Sequence, residues 1–363
     1  MRFILVQIYE LSELKLVNLR RGESWDRKTD DLQKDTLWVV EEISKKVLWE
    51  NPGLVITLKL WENDGIVSIP EAPASLSLQQ IRVLDVYKCS ALKEVDLSCF
   101  PELRFLSINC CHALTLVTGW EVVTKLGWLE IGECRSYVDF PLVQHLPSLR
   151  ECMVRELYSV PDDFGQCVGL RRLEIRGIES SAMNKMDLSM LRFLEVLIIR
   201  SCDALTSIQG LSGLHSLTSL DLGECGGLNG VPGLGCLKAL TYLNMRRSGV
   251  DDISGVQELH SLTSLLLEGC GSLKELPFLG HLKALTVLDV GSTSVEEIPG
   301  VRYLVSLENL YCGYSKVKWL PDLHHLPHLQ EVWVRKAPLS EVESSLVYFG
   351  KDVVHFGSSK GLS

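Results

Sequence analysis

Twelve cysteines carry the most versatile chemistry in this 363-residue chain. As thiolates they could attack carbonyl groups, bind metal or form disulfides. Six of them, Cys89, Cys111, Cys134, Cys202, Cys225 and Cys270, occupy one context, three residues after a leucine, isoleucine or valine that closes an L-x-L triplet. Elsewhere the same position holds Ser248, Thr293 and Ser315. The cysteines of this set recur far more widely than the C-x-x-C spacing of a metal or redox pair. The position suits a small, weakly polar side chain that points inward and bonds to turn backbone. Cys152 and Cys312 stand where neighbouring triplets have aliphatic residues. All of this reads as structural thiols kept reduced.

The histidines give no second chemistry. His324, His325 and His328 are dense in HHLPH, yet no cysteine or second cluster completes a metal site, so no metal is expected. His145, His215, His260, His281 and His325 each fall a few residues before a triplet, which implies a shared packing or capping role. Glu296-Glu297 and Asp251-Asp252 lie in turns and read as solvated. There is no G-x-x-x-x-G-K-[S/T], G-x-S-x-G or H-E-x-x-H. The sequence therefore predicts no enzyme and no cofactor.

Arginines and aromatics are the better candidates, as binding groups. The position just after each triplet reads Tyr87, Asn109, Gly132, Arg155, Arg176, Arg200, Gly223, Arg246, Glu268, Gly291, Gly313 and Arg335. Arg155, Arg176 and Arg200 fall in consecutive triplets, with Glu130, Glu133, Glu151, Glu156 and Glu174 close by. Two readings fit: charge pairing across neighbouring strands, or an anchor for an acidic or phosphate-bearing partner. Tyr311, Tyr314 and Trp333, with Trp319 nearby, form a second patch, read either as partner contacts or as packing against the C-terminal segment around Phe349. Phe105 and Trp128 make a third, weaker one.

What must position these groups is a repeat. Leu217 to Val231 has the skeleton L-x-x-L-x-L-x-x-C-x-x-L-x-x-V, which returns from Leu262 to Leu276 and from Leu194 to Ile208. Its marker leucine recurs as Leu84, Leu106, Leu129, Cys152, Leu173, Leu197, Leu220, Leu243, Leu265, Leu288, Leu310 and Val332, 21 to 24 residues apart. A weaker unit fits at Leu58, Leu60 and Asn63. This is the leucine-rich-repeat signature. L-x-L places two apolar side chains on one face of a short strand and the middle residue on the other. One unit cannot bury its apolar face alone, so the units must stack. The expected fold is an α/β repeat solenoid of about 12–13 repeats, a curved horseshoe with a parallel sheet on its concave side.

The expected divisions are 1–53, a capping or junction segment; 54–338, one continuous solenoid; and 339–363, a C-terminal cap and tail. Leu11, Leu14 and Leu16 read as the end of an earlier, broken repeat, and 35–50 has helical spacing stopped by Pro52-Gly53. A loop insert is expected at 179–187, a helix at 340–349 and a strand at 352–356. Net charge of −10 argues against a general nucleic-acid binder. No apolar run approaches the ~18 residues of a membrane span. No convincing signal peptide or N-x-[S/T] sequon is present. With the reduced cysteines, this predicts a cytoplasmic or nucleo-cytoplasmic protein.

The motifs CGSLKELP at 270–277, LDVGSTSVEEIP at 288–299 and LVSLENLYCGYSKVKWLP at 304–321 are similar to those of plant intracellular disease-resistance receptors. The resemblance is to the leucine-rich-repeat region of the class with Toll/interleukin-receptor and nucleotide-binding domains, the flax rust-resistance type, and covers about residues 54–338. It implies a module that recognises a pathogen effector or holds the receptor's own nucleotide-binding module inactive, present without those other domains. A free-standing repeat scaffold or adaptor regulating another protein is the alternative. The resemblance supplies no catalytic residue.

Overall fold

The computed structural model describes residues 9–11, 14–19, 57–69, 81–137, 146–158, 167–178, 183–338 and 354–355. The helices expected at 35–50 and 340–349, the first part of the 179–187 insert and the tail lie outside these residues. The chain forms two compact units, Met1–Leu170 and Arg171–Ser363.

The first unit contains β1 (Tyr9–Leu11), β2 (Leu14–Leu19), β3 (Thr57–Trp61), β4 (Ser68–Ile69), β5 (Val83–Tyr87), β6 (Glu94–Asp96), β7 (Phe105–Asn109), β8 (Leu116–Thr118), β9 (Trp128–Gly132) and β10 (Glu151–Arg155). The main sheet runs β1-β2-β3-β5-β7-β9-β10, and β4-β6-β8 form a smaller one. Pairing is parallel except in the β1–β2 hairpin. The second unit holds β11 (Arg172–Arg176), β12 (Lys185–Asp187), β13 (Val196–Arg200), β14 (Ser207–Gln209), β15 (Ser219–Asp221), β16 (Tyr242–Asn244), β17 (Ser264–Leu266), β18 (Val287–Asp289), β19 (Asn309–Tyr311), β20 (Glu331–Trp333) and β21 (Val354–His355). Here β11-β13-β15-β16-β17-β18-β19-β20-β21 is the main order and β12-β14 the second sheet. Among the described residues no helix is long and apolar enough to cross a membrane.

The register follows the leucines. Leu58 pairs with Leu84 and Leu84 with Leu106, and the same column runs unbroken from Leu197 to Val332 in the second unit. These residues, and their partners two along such as Val86, Ile108, Leu222 and Leu267, are buried. Each buried leucine-sized side chain contributes about 1.5–3 kcal/mol. An earlier strand does precede the first clear repeat, in a register that puts Val17 and Leu19 opposite Leu58 and Leu60, rather than Leu14 and Leu16.

Each main-sheet strand from β3 to β20 is followed by a left-handed residue. Lys88, Cys110, Glu133, Ser201, Glu224, Ser292 and Tyr314 all have φ between 52° and 60°. That conformation costs a non-glycine residue about 1–2 kcal/mol. Its N–H is in return aimed at the next repeat, as from Lys88 to the Asn109 carbonyl and from Tyr314 to the Arg335 carbonyl (3.0 and 2.7 Å). The turn then sends the cysteine column inward.

The return path uses 3-10 turns where an α/β solenoid could have used α-helices. Leu211, Leu214 and Leu217 are all buried, and a period of three fits 3.0 residues per turn and not 3.6. Turns at Leu211–Gly213, Leu234–Cys236, Val256–Glu258 and Val301–Tyr303 each follow a glycine with positive φ. At Gly210 (φ 82°) a Cβ would stand 2.3 Å from the Ser189 amide nitrogen, so only glycine fits.

Leu220→Ala should cost ~2–5 kcal/mol through the cavity it leaves, and Gly210→Ala at least ~1 kcal/mol. Urea unfolding of the full chain reads both. A change within error for Leu220→Ala would mean the stack does not depend on this column.

The solvent-facing sheet as the candidate recognition site

The outward side chains of each strand come from the middle of the triplet and from the residues flanking it. In the regular part of the second unit the middle residue is often Asp or Asn, and it is buried: Asp221, Asn244 and Asp289 are 8%, 4% and 5% exposed. Each accepts a hydrogen bond from the N–H two residues on, Gly223, Arg246 and Gly291 respectively, at 3.0–3.1 Å. These bonds end the strand and turn the chain. Asp221 also accepts from the Asn244 amide at 3.0 Å, linking β15 to β16.

The arginines lie over this acidic floor. Arg246 donates to Asp289 at 2.6 Å, two strands away, and its Nε stands 3.4 Å from Glu268. Burial works against the Arg246 charge, but Asp289 and Glu268 outweigh it and raise its pKa. Arg200 reaches Glu224 at 3.1 Å and Asp221 at 3.8 Å. Glu224 is held below the usual carboxylate range by its hydrogen bond from Ser201 and by Arg200. Arg172 and Arg176 share the buried Glu174, both at 2.8 Å. Arg176 and Arg200 are register partners in the second unit. Arg155, in the first, faces Glu130 at 3.3 Å. Arg155, Arg176, Arg200 and Arg246 are thus partly buried and charge-paired, the geometry of the pairing reading. Of the neighbouring glutamates, Glu156 pairs with Arg135 instead (3.3 Å).

The aromatic patch stays open. Tyr314 and Trp333 are 50% and 38% exposed, and Trp319 46%. The Tyr311 hydroxyl and the Trp333 indole N–H both donate to Glu331, at 3.4 and 3.0 Å. Burial raises the Tyr311 pKa, with Glu331 adding to it. The Arg335 guanidinium and the Lys336 ammonium lie 5.6 and 5.3 Å from the Tyr314 ring centroid. Phe349, the alternative packing partner, lies outside the described residues. In the first unit Phe105 and Trp128 stack with centroids 5.2 Å apart, which satisfies much of their apolar surface internally.

Behind the sheet, the cysteine column is packed and hydrogen-bonded. Cys89 donates to the Leu60 carbonyl (3.3 Å), Cys225 to Ile199 (3.3 Å) and Cys270 to Met245 (2.9 Å), each reaching back to the preceding repeat. The neighbouring Cys134 thiol and burial push Cys111 up to about 12. Burial, with the Asp289 charge adding to it, does the same for Cys312, also about 12. Such thiols stay protonated at neutral pH and are poor nucleophiles. On the return side His325 bonds the Arg302 carbonyl at 2.7 Å and Lys283 the Tyr303 carbonyl at 2.8 Å, a capping role for this edge. His324 pairs with Asp322. His145 lies outside the described residues. Among the described residues no group of three or more His, Cys, Asp or Glu is placed to hold a metal ion.

Sequence reasoning missed the buried acidic floor and the Arg335–Lys336–Tyr314 cluster. The signal for the floor was present as L-D-L-G, L-N-M-R and L-D-V-G, an Asx residue two before the turn.

No protein-family model matches the chain, and no curated protein does. Solved structures do. A leucine-rich-repeat protein of Leptospira interrogans is 20% identical, with a TM-score of 0.65 over 86% of both chains. An internalin (InlF) of Listeria monocytogenes is 16% identical, with a TM-score of 0.59 over 85% of this chain and 89% of that one. The functional domain of InlJ, also from Listeria monocytogenes and described as including a cysteine ladder, gives 0.54 at 16% identity over 79% and 69%. These likenesses establish a leucine-rich-repeat solenoid and concern the fold alone.

Of the twelve free thiols, only Cys236 is exposed and Cys110 partly so; the other ten are buried. A small disulfide reagent should modify Cys236 fast, Cys110 more slowly, and the remainder only on unfolding. Rapid reaction of the column cysteines in the native protein would contradict this packing.

Proposed function

We propose that this chain is a non-catalytic protein-recognition module that works through the solvent-facing sheet residues of its units, Arg155 in the first and Arg176, Arg200, Arg246, Tyr311, Tyr314 and Trp333 in the second. The observation that carries this is the exposure of Tyr314 and Trp333 on an otherwise polar face. Large exposed aromatics on a rigid sheet supply contact area at low entropic cost, and the fold gains little from leaving them in water. The inward columns are nearly uniform leucine, isoleucine, valine and cysteine, whereas the outward ones change from arginine to glutamate to tyrosine from strand to strand. A protein ligand also suits the net charge of −10 better than a nucleic acid does.

The finer reading is a sensing and autoinhibitory module of a plant disease-resistance receptor, acting in defence in the cytoplasm or nucleo-cytoplasm. The C-x-x-L-x-x-L-P phrases support it, and the twelve free thiols are consistent with a reducing compartment. Its partner would be a pathogen effector or a nucleotide-binding module. A free-standing repeat scaffold regulating another protein fits the same geometry.

Affinity capture with the immobilised full chain, from plant-cell extract with and without pathogen proteins, separates these readings. The captured protein should be lost on Tyr314→Ala/Trp333→Ala or Arg155→Glu/Arg176→Glu/Arg200→Glu, in variants whose thermal unfolding remains cooperative. It should be retained on Phe278→Ser/Tyr303→Ser, a change to two exposed rings that pack together (centroids 5.9 Å apart) at the return turn Val301–Tyr303. An effector or nucleotide-binding module among the captured proteins favours the receptor; a kinase or ligase component favours the scaffold. Loss only with the return-side variant would refute the sheet as the working surface.

A further inference from the structure

We propose that the end of the sheet face around Gly313, Tyr314, Arg335 and Lys336 is a docking site for an acidic peptide segment of a partner protein, bound in extended form. This rests on the sheet-face reading above and specifies where on the face, and with what chemistry, binding occurs.

Charge decides the location. The earlier face arginines of the second unit, Arg172, Arg176, Arg200 and Arg246, have carboxylates within 2.6–3.8 Å, so an incoming acid would have to displace a partner already in place. Arg335 and Lys336 are both exposed, adjacent in sequence, and among the described residues neither forms an ion pair. Both lie over the face of Tyr314. The one carboxylate nearby on the same strand, Glu331, is engaged by Tyr311 and Trp333. A cation resting on an aromatic ring keeps its charge and most of its N–H donors, so the pair is ready for a carboxylate.

Shape points to the same place. The position after the triplet carries a large side chain in Tyr87, Arg200, Arg246 and Glu268 and is glycine in the repeats of β9, β15, β18 and β19. At Gly132, Gly223 and Gly291 a Cβ would crowd Asn109, Asp221 and Asp289 at 2.4, 3.2 and 3.2 Å, whereas Gly313 has no such crowding. A Cβ there would meet Arg335 backbone and Cβ atoms at 3.5–3.8 Å, ordinary contact. Gly313 is not among the glycines with positive φ. The backbone therefore does not require glycine, and the missing side chain leaves bare backbone beside Arg335, next in sequence to the exposed Tyr314. An extended segment fits against it, with carboxylates on Arg335 and Lys336 and apolar side chains on the exposed Tyr314 and Trp333 rings. Strand addition at β20 is not the mode, because its outer edge already pairs with β21, Trp333 opposite His355.

The test is fluorescence anisotropy of the full chain with a short labelled peptide of alternating Asp and Leu, against a matched Lys/Leu peptide. The Asp/Leu peptide should bind, more weakly as salt rises, and the Lys/Leu peptide should not. Arg335→Glu/Lys336→Glu should weaken it ~10-fold or more and confer binding of the Lys/Leu peptide. Gly313→Leu should also weaken it at unchanged thermal stability, since other repeats hold large side chains there. No binding of the Asp/Leu peptide, or equal binding by all these variants, overturns the proposal. If affinity instead falls only with Arg176→Glu/Arg200→Glu, this site is wrong while the sheet-face reading stands. If it falls only with Phe278→Ser/Tyr303→Ser, both are wrong.

Discussion

A single repeat of this chain cannot bury its own leucines, and everything else in the structure follows from that. Leu220 is dry only because Leu197 and Leu243 lie on either side of it in register. Lateral pairing must therefore hold without slippage, since a one-residue slip would turn the apolar column to solvent. Register is pinned at both ends of the short strands. Thr218, Thr241, Thr263 and Thr286 each donate a hydroxyl to a carbonyl of the preceding repeat as the strand begins. The left-handed residue sends its N–H to the following repeat as the strand ends. The strain at that residue is tolerated because this bond, and the inward turn of the cysteine after it, are part of the stack.

A fold secured from inside leaves its outer columns free to vary, and the chain uses that freedom in two ways. Over most of the second unit's face, buried Asp and Glu are covered by arginine. Such pairs add little net stability once desolvation is counted. What they give is a face with fixed side-chain positions. Toward β19 and β20 the cover stops. The acid is occupied by aromatic donors, and two cations remain on a tyrosine ring. The contrast between a neutralised region and an open one, on the same scaffold, is the physical basis for placing recognition at that end.

Much of the scaffold was legible in the sequence. The leucine skeleton set the strands and their register, and the cysteine column was correctly read as inward and structural from its position after L-x-L. The 3-10 returns were written in the period-three spacing of Leu211, Leu214 and Leu217. The site was less legible. Asp221 and Asp289 sit at the middle of a triplet, where alternation alone makes them solvent-facing; they are buried because arginine folds across them. Arg246 reaches Asp289 by passing over β17, a contact that no one-dimensional spacing encodes. For the same reason Arg335 looked like one more arginine in a column of arginines. At the N-terminus Leu11, Leu14 and Leu16 pointed to an earlier strand, but the residues that meet Leu58 and Leu60 are Val17 and Leu19, further along it.

The most direct test of the central claim is hydroxyl-radical footprinting of the full chain, free and with its captured partner. If the sheet face is the working surface, Tyr314 and Trp333 lose reactivity in the complex while Phe278 and Tyr303 on the return side keep theirs. Protection of Phe278 and Tyr303, with Tyr314 and Trp333 unchanged, would contradict the account.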